Sequence, residues 1–312
     1  LIEENSCSGE YAPASLCLQT IISPLNWGYT QNGVFVKFLP YIFLFISAFQ
    51  VANAQDTNAF KIPRSTVIDI KDPESGRIYP LFIKLPRSYN NRKDKSYPVI
   101  YLTDAWYSFQ IVSGATRFPM NTGKMQEAII VGISYSKGSR GPSSRIRDYT
   151  HTEDLSWKLQ TGKAKEHIGF IEKSVFPFIE KYYRTDDSRT FVGNSLGGLL
   201  GAYILFTKPH MFNNYVLGSP SVWFKDNDIL KIKTKLNLNE HKVFIGVGAK
   251  ETPKHNTTKH DMVKGAKDLV LKVSSELFPN TKVNFLSIQG ASHETAFPTT
   301  ATHGLYWLFK ES

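Results

Sequence analysis

Residues 190–198 read Thr190-Phe191-Val192-Gly193-Asn194-Ser195-Leu196-Gly197-Gly198. A short apolar run, Thr190 to Val192, passes directly into Gly-x-Ser-x-Gly and then into the helical stretch Leu199 to Phe206. Strand, sharp turn and helix in that order are what a nucleophile elbow requires: small residues on both sides of a strained Ser, and a helix starting immediately behind it. The helix N-terminus also points unpaired N–H groups, and the positive end of its dipole, at the place where negative charge would develop. Alone, the five-residue pattern fits an ordinary strand-to-helix turn equally well, so its weight comes from what surrounds it.

On both sides of this stretch, short apolar runs alternate with helical patterns. Val67 to Ile70 and Tyr79 to Leu85 predict an opening antiparallel pair, joined through the turn Pro73-Glu74-Ser75-Gly76. Val99 to Leu102 and Ala128 to Ile133 are continuous apolar runs, as expected of strands covered on both faces. Tyr215 to Leu217, Val243 to Val247 and Val283 to Ile288 continue the series. Ala164, Ile168, Ile171, Val175 and Ile179 recur at spacings of four and three and predict one helix face, kinked by Pro177. Met262, Ala266, Leu269, Val273 and Leu277 predict a second helix. The stretch from Tyr135 to Thr161 shows neither period and reads as a long loop. The alternation predicts an α/β fold with a mostly parallel central sheet flanked by helices.

A Ser hydroxyl attacks a carbonyl only when a base takes its proton. With partners in the order Ser, acid, His, the base is sought among His210, His241, His255, His260, His293 and His303. His293 alone stands in a loop just after a late strand, in Gln289-Gly290-Ala291-Ser292-His293-Glu294. The acid is expected between the two, at the end of a strand, and Glu251 meets both conditions. Asp226, Asp228, Asp261 and Asp268 compete from on or near helices. An oxyanion hole needs two backbone N–H groups. Leu196 supplies the first candidate, and Ala105 or Trp106, after the strand ending at Thr103, the second. Trp106 and Trp223 are candidates for stacking on a substrate, or equally for core packing.

Taken together, Pro98-Val99-Ile100-Tyr101-Leu102-Thr103-Asp104, Arg147-Asp148-Tyr149-Thr150, the elbow, Ser219-Pro220-Ser221-Val222-Trp223 and Ser292-His293-Glu294 resemble an esterase family of α/β-hydrolases. That family includes siderophore trilactone esterases and relatives of S-formylglutathione hydrolase. The resemblance runs from about Tyr79 to Phe309. It implies hydrolysis of carboxylic esters through an acyl-enzyme on Ser195, with His293 as general base then acid and Glu251 as its partner, and it implies no cofactor or metal. It further suggests Arg147 near the substrate, the alternative being an Arg–Asp pair that braces the long loop. Ala105 and Asn194 depart from residues common at those positions in relatives, and neither departure removes a catalytic group. Acyl transfer on the same scaffold, or ligand binding without catalysis, are the competing expectations.

The N-terminal part reads differently. Lys37, an apolar run from Phe38 to Phe49 and small residues up to Ala54 form the pattern of a secretory signal peptide cleaved after Ala54, too short for a bilayer span. Residues 1–33 precede it, and no Met occurs before Met120, which suggests an over-extended reading frame with residues 55–312 as a single α/β-hydrolase domain. The expected location is therefore periplasmic or secreted, without a stable membrane anchor. Cys7 and Cys17 both fall upstream of the cleavage point, leaving no disulfide framework and no thiolate chemistry in the mature part. Residues 1–54 hold one Lys and three Glu, so the remainder carries 36 basic and 24 acidic residues, a net charge of +12. Those charges are scattered rather than clustered and lack a stacking motif, which argues against nucleic acid and reads as a solvated basic surface; the partner that the esterase resemblance implies is a small-molecule ester.

Overall fold

The structure is a computed structural model and describes residues 60–255 and 258–310. The expected signal peptide, the segment before it, and Cys7 and Cys17 lie outside the described residues.

Eight strands, β1 (Ser65–Lys71), β2 (Ile78–Lys84), β3 (Tyr97–Leu102), β4 (Ile129–Ile133), β5 (Thr185–Asn194), β6 (Asn214–Gly218), β7 (His241–Gly248) and β8 (Thr281–Ile288), form one sheet in the order β1-β2-β4-β3-β5-β6-β7-β8. The β1–β2 and β2–β4 pairs are antiparallel and all others parallel. The helices are α1 (Ala105–Asn121), α2 (Gly141–Tyr149), α3 (Ala164–Phe170), α4 (Phe176–Tyr182), α5 (Leu196–Thr207), α6 (Phe224–Lys231), α7 (Met262–Val273) and α8 (His293–Phe309). This is the α/β-hydrolase architecture.

The continuous apolar strands follow from burial on both faces. Because side chains alternate along a strand, Tyr101, Tyr215, Leu217, Val243 and Ile245 enter one core, while Ile100, Leu102, Val216 and Phe244 enter the other. The second core is closed by α1 and α8, which contribute Phe109, Val112, Phe297, Ala301 and Leu305. The first is closed by the remaining helices, among them α5 through Leu199, Leu200 and Ile204. Each fully buried Leu or Ile contributes about 1.5–3 kcal/mol by leaving water.

Strand order decides where chemistry can sit. From β3 the chain crosses through α1 to β4, one step toward β2, and returns past β3 to β5, so β3 and β5 are neighbours whose following helices lie on opposite faces. The two helix N-termini therefore flank a crevice at the carboxyl ends of adjacent strands, the switch point where open α/β sheets bind their ligands.

Three details differ from the sequence reading. The stretch 135–161 is not wholly loop: α2 forms within it, and its buried face is Ser144, Arg147, Asp148 and Tyr149, polar enough to hide the apolar period. The stripe through Pro177 is broken by a π-helical turn at Ile171–Val175, where the Phe176 N–H reaches back to the Ile171 carbonyl. Pro177 has no N–H for the ordinary ladder, and the chain adjusts just before it. The last helical stripe stops at Val273, so Leu277 lies beyond α7 and is partly exposed.

Candidate active site

Ser195 caps α5 with φ 58° and ψ −116°, a conformation that a residue with a side chain adopts only at a cost of about 1–3 kcal/mol. Its surroundings hold it there. The Ser195 N–H donates to the Gly218 carbonyl at 2.8 Å, and its own carbonyl accepts from the Ser221 N–H at 3.1 Å. The two elbow glycines are sterically required. A Cβ on Gly193 would fall 2.3 Å from the Gly197 carbonyl oxygen, and one on Gly197 would fall 2.3 Å from Thr103 Oγ1.

Because β5, β6, β7 and β8 are successive parallel neighbours, the segments leaving them emerge along one edge of the sheet. Ser195 leaves β5, Ser219 leaves β6, Glu251 follows β7 and His293 follows β8. His293 Nδ1 lies 2.6 Å from Glu251 Oε2. The other carboxylate oxygen of Glu251 accepts the Ser219 hydroxyl at 2.6 Å and the Gly248 N–H at 2.7 Å. Glu251 is fully buried and His293 about a third exposed, so the acid is sequestered while the imidazole opens to solvent. His293 is the first residue of α8, not a loop residue; Ser292 caps that helix and fixes where the imidazole starts. The Ser195 hydroxyl is bonded to the Ser221 hydroxyl at 3.2 Å rather than to His293.

Three of the four competing acids are occupied elsewhere. Asp228 accepts from Thr152 and pairs with His151, Asp261 caps α7, and Asp268 pairs with Lys264. Of the competing imidazoles, His241 contacts the Asn213 carbonyl, His210 pairs with Glu172, and His260 stacks on Trp223.

Across the crevice, Leu196 and Ala105 each open a helix, so the N–H groups of Leu196, Ala105 and Trp106 have no intrahelical acceptor. The carbonyl of Asp104 accepts from the N–H groups of Tyr107 and Ser108 instead. Asp104 has φ 54° and ψ 50°, in the left-handed region. Its carboxylate receives two parallel hydrogen bonds from Arg145 at 3.0 and 3.2 Å, and its N–H donates to the Tyr149 hydroxyl at 3.2 Å. Burial disfavours the charge on Arg145, yet Asp104 holds its pKa above the usual value. Burial, then the Asp104 charge, raises Tyr149 well above the ordinary tyrosine range.

Of the two places left open for Arg147, near the substrate or in an Arg–Asp brace, the structure shows the pair with Asp148. Arg147 is 7% exposed, donates to both carboxylate oxygens of Asp148 at 2.7 and 2.8 Å, and reaches Ser136 and Tyr79. Two residues along α2, Arg145 is the arginine that contacts the β3 loop; helical rotation of about 200° turns the two guanidiniums to different faces. The sequence reading missed Arg145, Asp104 as its partner, and the role of Ser219. Recognising α2 as a helix would have separated the two arginines. Ala105 is buried, whereas Trp106 is 64% exposed with its ring edge-on to Phe82. Trp223 is half-buried and already stacked at 4.0 Å on His260 and at 6.2 Å on Trp157. Among the described residues, no helix is long and apolar enough to cross a membrane, and no group of three or more His, Cys, Asp or Glu is placed to hold a metal.

The family described as Putative esterase matches residues 73–298. The ferri-bacillibactin esterase BesA of Bacillus subtilis is 30% identical over 272 residues, which cover 81% of this chain and 92% of that protein. The crystal structure of the BES protein from Bacillus cereus superposes with a TM-score of 0.70 at 27% identity, covering 82% of this chain and all of that one. The siderophore hydrolase EstB of Aspergillus nidulans also gives a TM-score of 0.70, over 81% of this chain and 97% of that one, and at 19% identity it speaks to the fold alone.

Proposed function

Because this chain belongs to the Putative esterase family of α/β-hydrolases and is a carboxylic ester hydrolase, we propose that it cleaves its substrate through an acyl-enzyme on Ser195. The observation that carries the reading is the His293–Glu251 pair at 2.6 Å, on the same sheet edge as a Ser held at φ 58°. Glu251, oriented by the donors Ser219 and Gly248, fixes the imidazole with Nδ1 toward the acid and leaves Nε2 for the nucleophile. In the resting site the Ser195 hydroxyl rests on Ser221; the first step exchanges that partner for His293, in line with the loose geometry common before substrate arrives. Attack on the ester carbonyl then transfers the hydroxyl proton to His293, and the imidazolium returns it to the departing alcohol oxygen. Water repeats the cycle on the acyl-enzyme, releasing the acid. The N–H groups of Leu196 and of Ala105 or Trp106 stabilise the oxyanion, with the Asp104–Arg145 pair as the support of that loop.

For substrate class we propose siderophore-type or other small acyl esters, the reading supported by the named activity of the Bacillus subtilis relative and by the exposed Trp106 beside the crevice. Trp223 contributes an aromatic wall only where an acyl ring displaces His260 or meets the indole edge. The signal-peptide pattern of residues 34–54 supports export to the periplasm or beyond.

A fluorophosphonate probe tests the nucleophile: the intact protein is labelled and Ser195→Ala is not. Failure of the intact protein to label would overturn the acyl-enzyme reading. A panel of ferric and iron-free trilactones, feruloyl and acetyl sugars and short p-nitrophenyl esters tests the class, with the trilactones expected to give the highest kcat/KM.

A further inference from the structure

Lys84, the last residue of β2, is 6% exposed, an unusual position for an ammonium group. Its Nζ donates to the Ser113 carbonyl of α1 at 2.8 Å, and a neutral carbonyl does not balance a buried charge. Two further cations, Arg64 and Arg117, flank it; burial and then these two like charges push the Lys84 pKa down to about 8. All three line a cleft of about 320 Å³, with Phe60, Ile62 and Pro63 forming an apolar side. No acidic residue lines the cleft, and none of the three cations forms an ion pair among the described residues. Three positive groups, one of them desolvated, are thus gathered with no counter-charge among the described residues, an arrangement that repels itself until an anion occupies it. The cleft is separate from the Ser195 crevice: Ser113 lies eight residues along α1 from Ala105, roughly 12 Å of helix axis.

We propose that this cleft binds a small amphipathic anion, its carboxylate or phosphate head on Lys84, Arg64 and Arg117 and its apolar tail against Phe60, Ile62 and Pro63. The site does not depend on the esterase mechanism, because none of these residues belongs to it. Isothermal titration of the full chain with n-octanoate, inorganic phosphate and n-octanol tests both halves. Octanoate is expected to bind one per chain, phosphate about tenfold or more weaker, and octanol not measurably. Lys84→Met and Arg117→Gln should each weaken octanoate at least tenfold while leaving ester hydrolysis unchanged. Arg117 is exposed, so its variant carries the test if Lys84→Met does not fold. Absence of octanoate binding, or binding indifferent to both substitutions, would overturn the site. Phosphate binding as tightly as octanoate would overturn the apolar half.

Discussion

Two buried carboxylates stand on either side of the crevice, and they are held in opposite ways. Glu251, at the β7–β8 end, receives a hydroxyl and a backbone N–H, both neutral, and meets an imidazole with its remaining oxygen. Asp104, at the β3 end, is locked in two parallel bonds to a guanidinium that never loses its proton. Neutral donors orient a carboxylate without supplying a counter-charge, so the second oxygen of Glu251 is left to face His293. A bidentate arginine cancels the charge and leaves direction, so Asp104 becomes a strut that keeps a left-handed turn in place. The same functional group is therefore held by neutral donors on one side and by a cation on the other.

That contrast is open to attack. The largest effect is expected from Glu251→Gln, which keeps the shape but loses the charge: kcat falls about 10³- to 10⁴-fold, with KM and melting temperature little changed. A loss below tenfold would place both carboxylates in the structural class. Arg145→Met is expected to do the reverse, leaving Asp104 buried and unpaired and lowering stability by about 2–4 kcal/mol in urea unfolding. Its kcat falls about 10²-fold as the oxyanion loop loosens, and Arg145→Lys recovers part of the stability but little of kcat, since one ammonium cannot make two parallel bonds. Ser219→Ala removes one of the neutral donors and is expected to lower kcat about tenfold, within the range of a hydrogen bond to a charged group, with a shift in the pH–rate profile that a purely structural residue would not cause. Ser195→Gly relieves the strained backbone and should raise stability by about 1 kcal/mol while abolishing activity, a difference read by calorimetry.

A smaller effect concerns pH and lies away from the crevice. His167 is buried among Tyr79, Tyr149 and Phe170 with neither ring nitrogen hydrogen-bonded among the described residues, and burial lowers its pKa, as it does for His151 and His241. A folded state that keeps imidazoles neutral binds fewer protons than the unfolded chain below the ordinary histidine pKa. Stability is then fully present above about pH 6.5 and falls as the pH drops below it. The melting temperature should decline between pH 6.5 and 5, and His167→Phe should flatten that decline. An equally steep profile in the variant would remove His167 from the account.

The sequence by itself determined the strands, the elbow and the order Ser, Glu, His. These are local or ordinal properties: a strand covered on both faces must be apolar throughout, the Ser turn tolerates only glycine where a Cβ would strike the Gly197 carbonyl oxygen or Thr103, and chain order is read directly. Only the tertiary structure decided that β4 inserts between β2 and β3, which makes β3 and β5 neighbours and sets two helix N-termini across one crevice. It alone decided between Arg145 and Arg147, because the helix that separates them buries polar side chains and leaves no hydrophobic period to read. It alone placed Ser219 under Glu251 and Lys84 between two arginines, contacts across 32 residues in the first case and a charge cluster in the second. Pairings of that kind depend on how strands are ordered in space, and a linear pattern of apolar and polar residues does not encode that order.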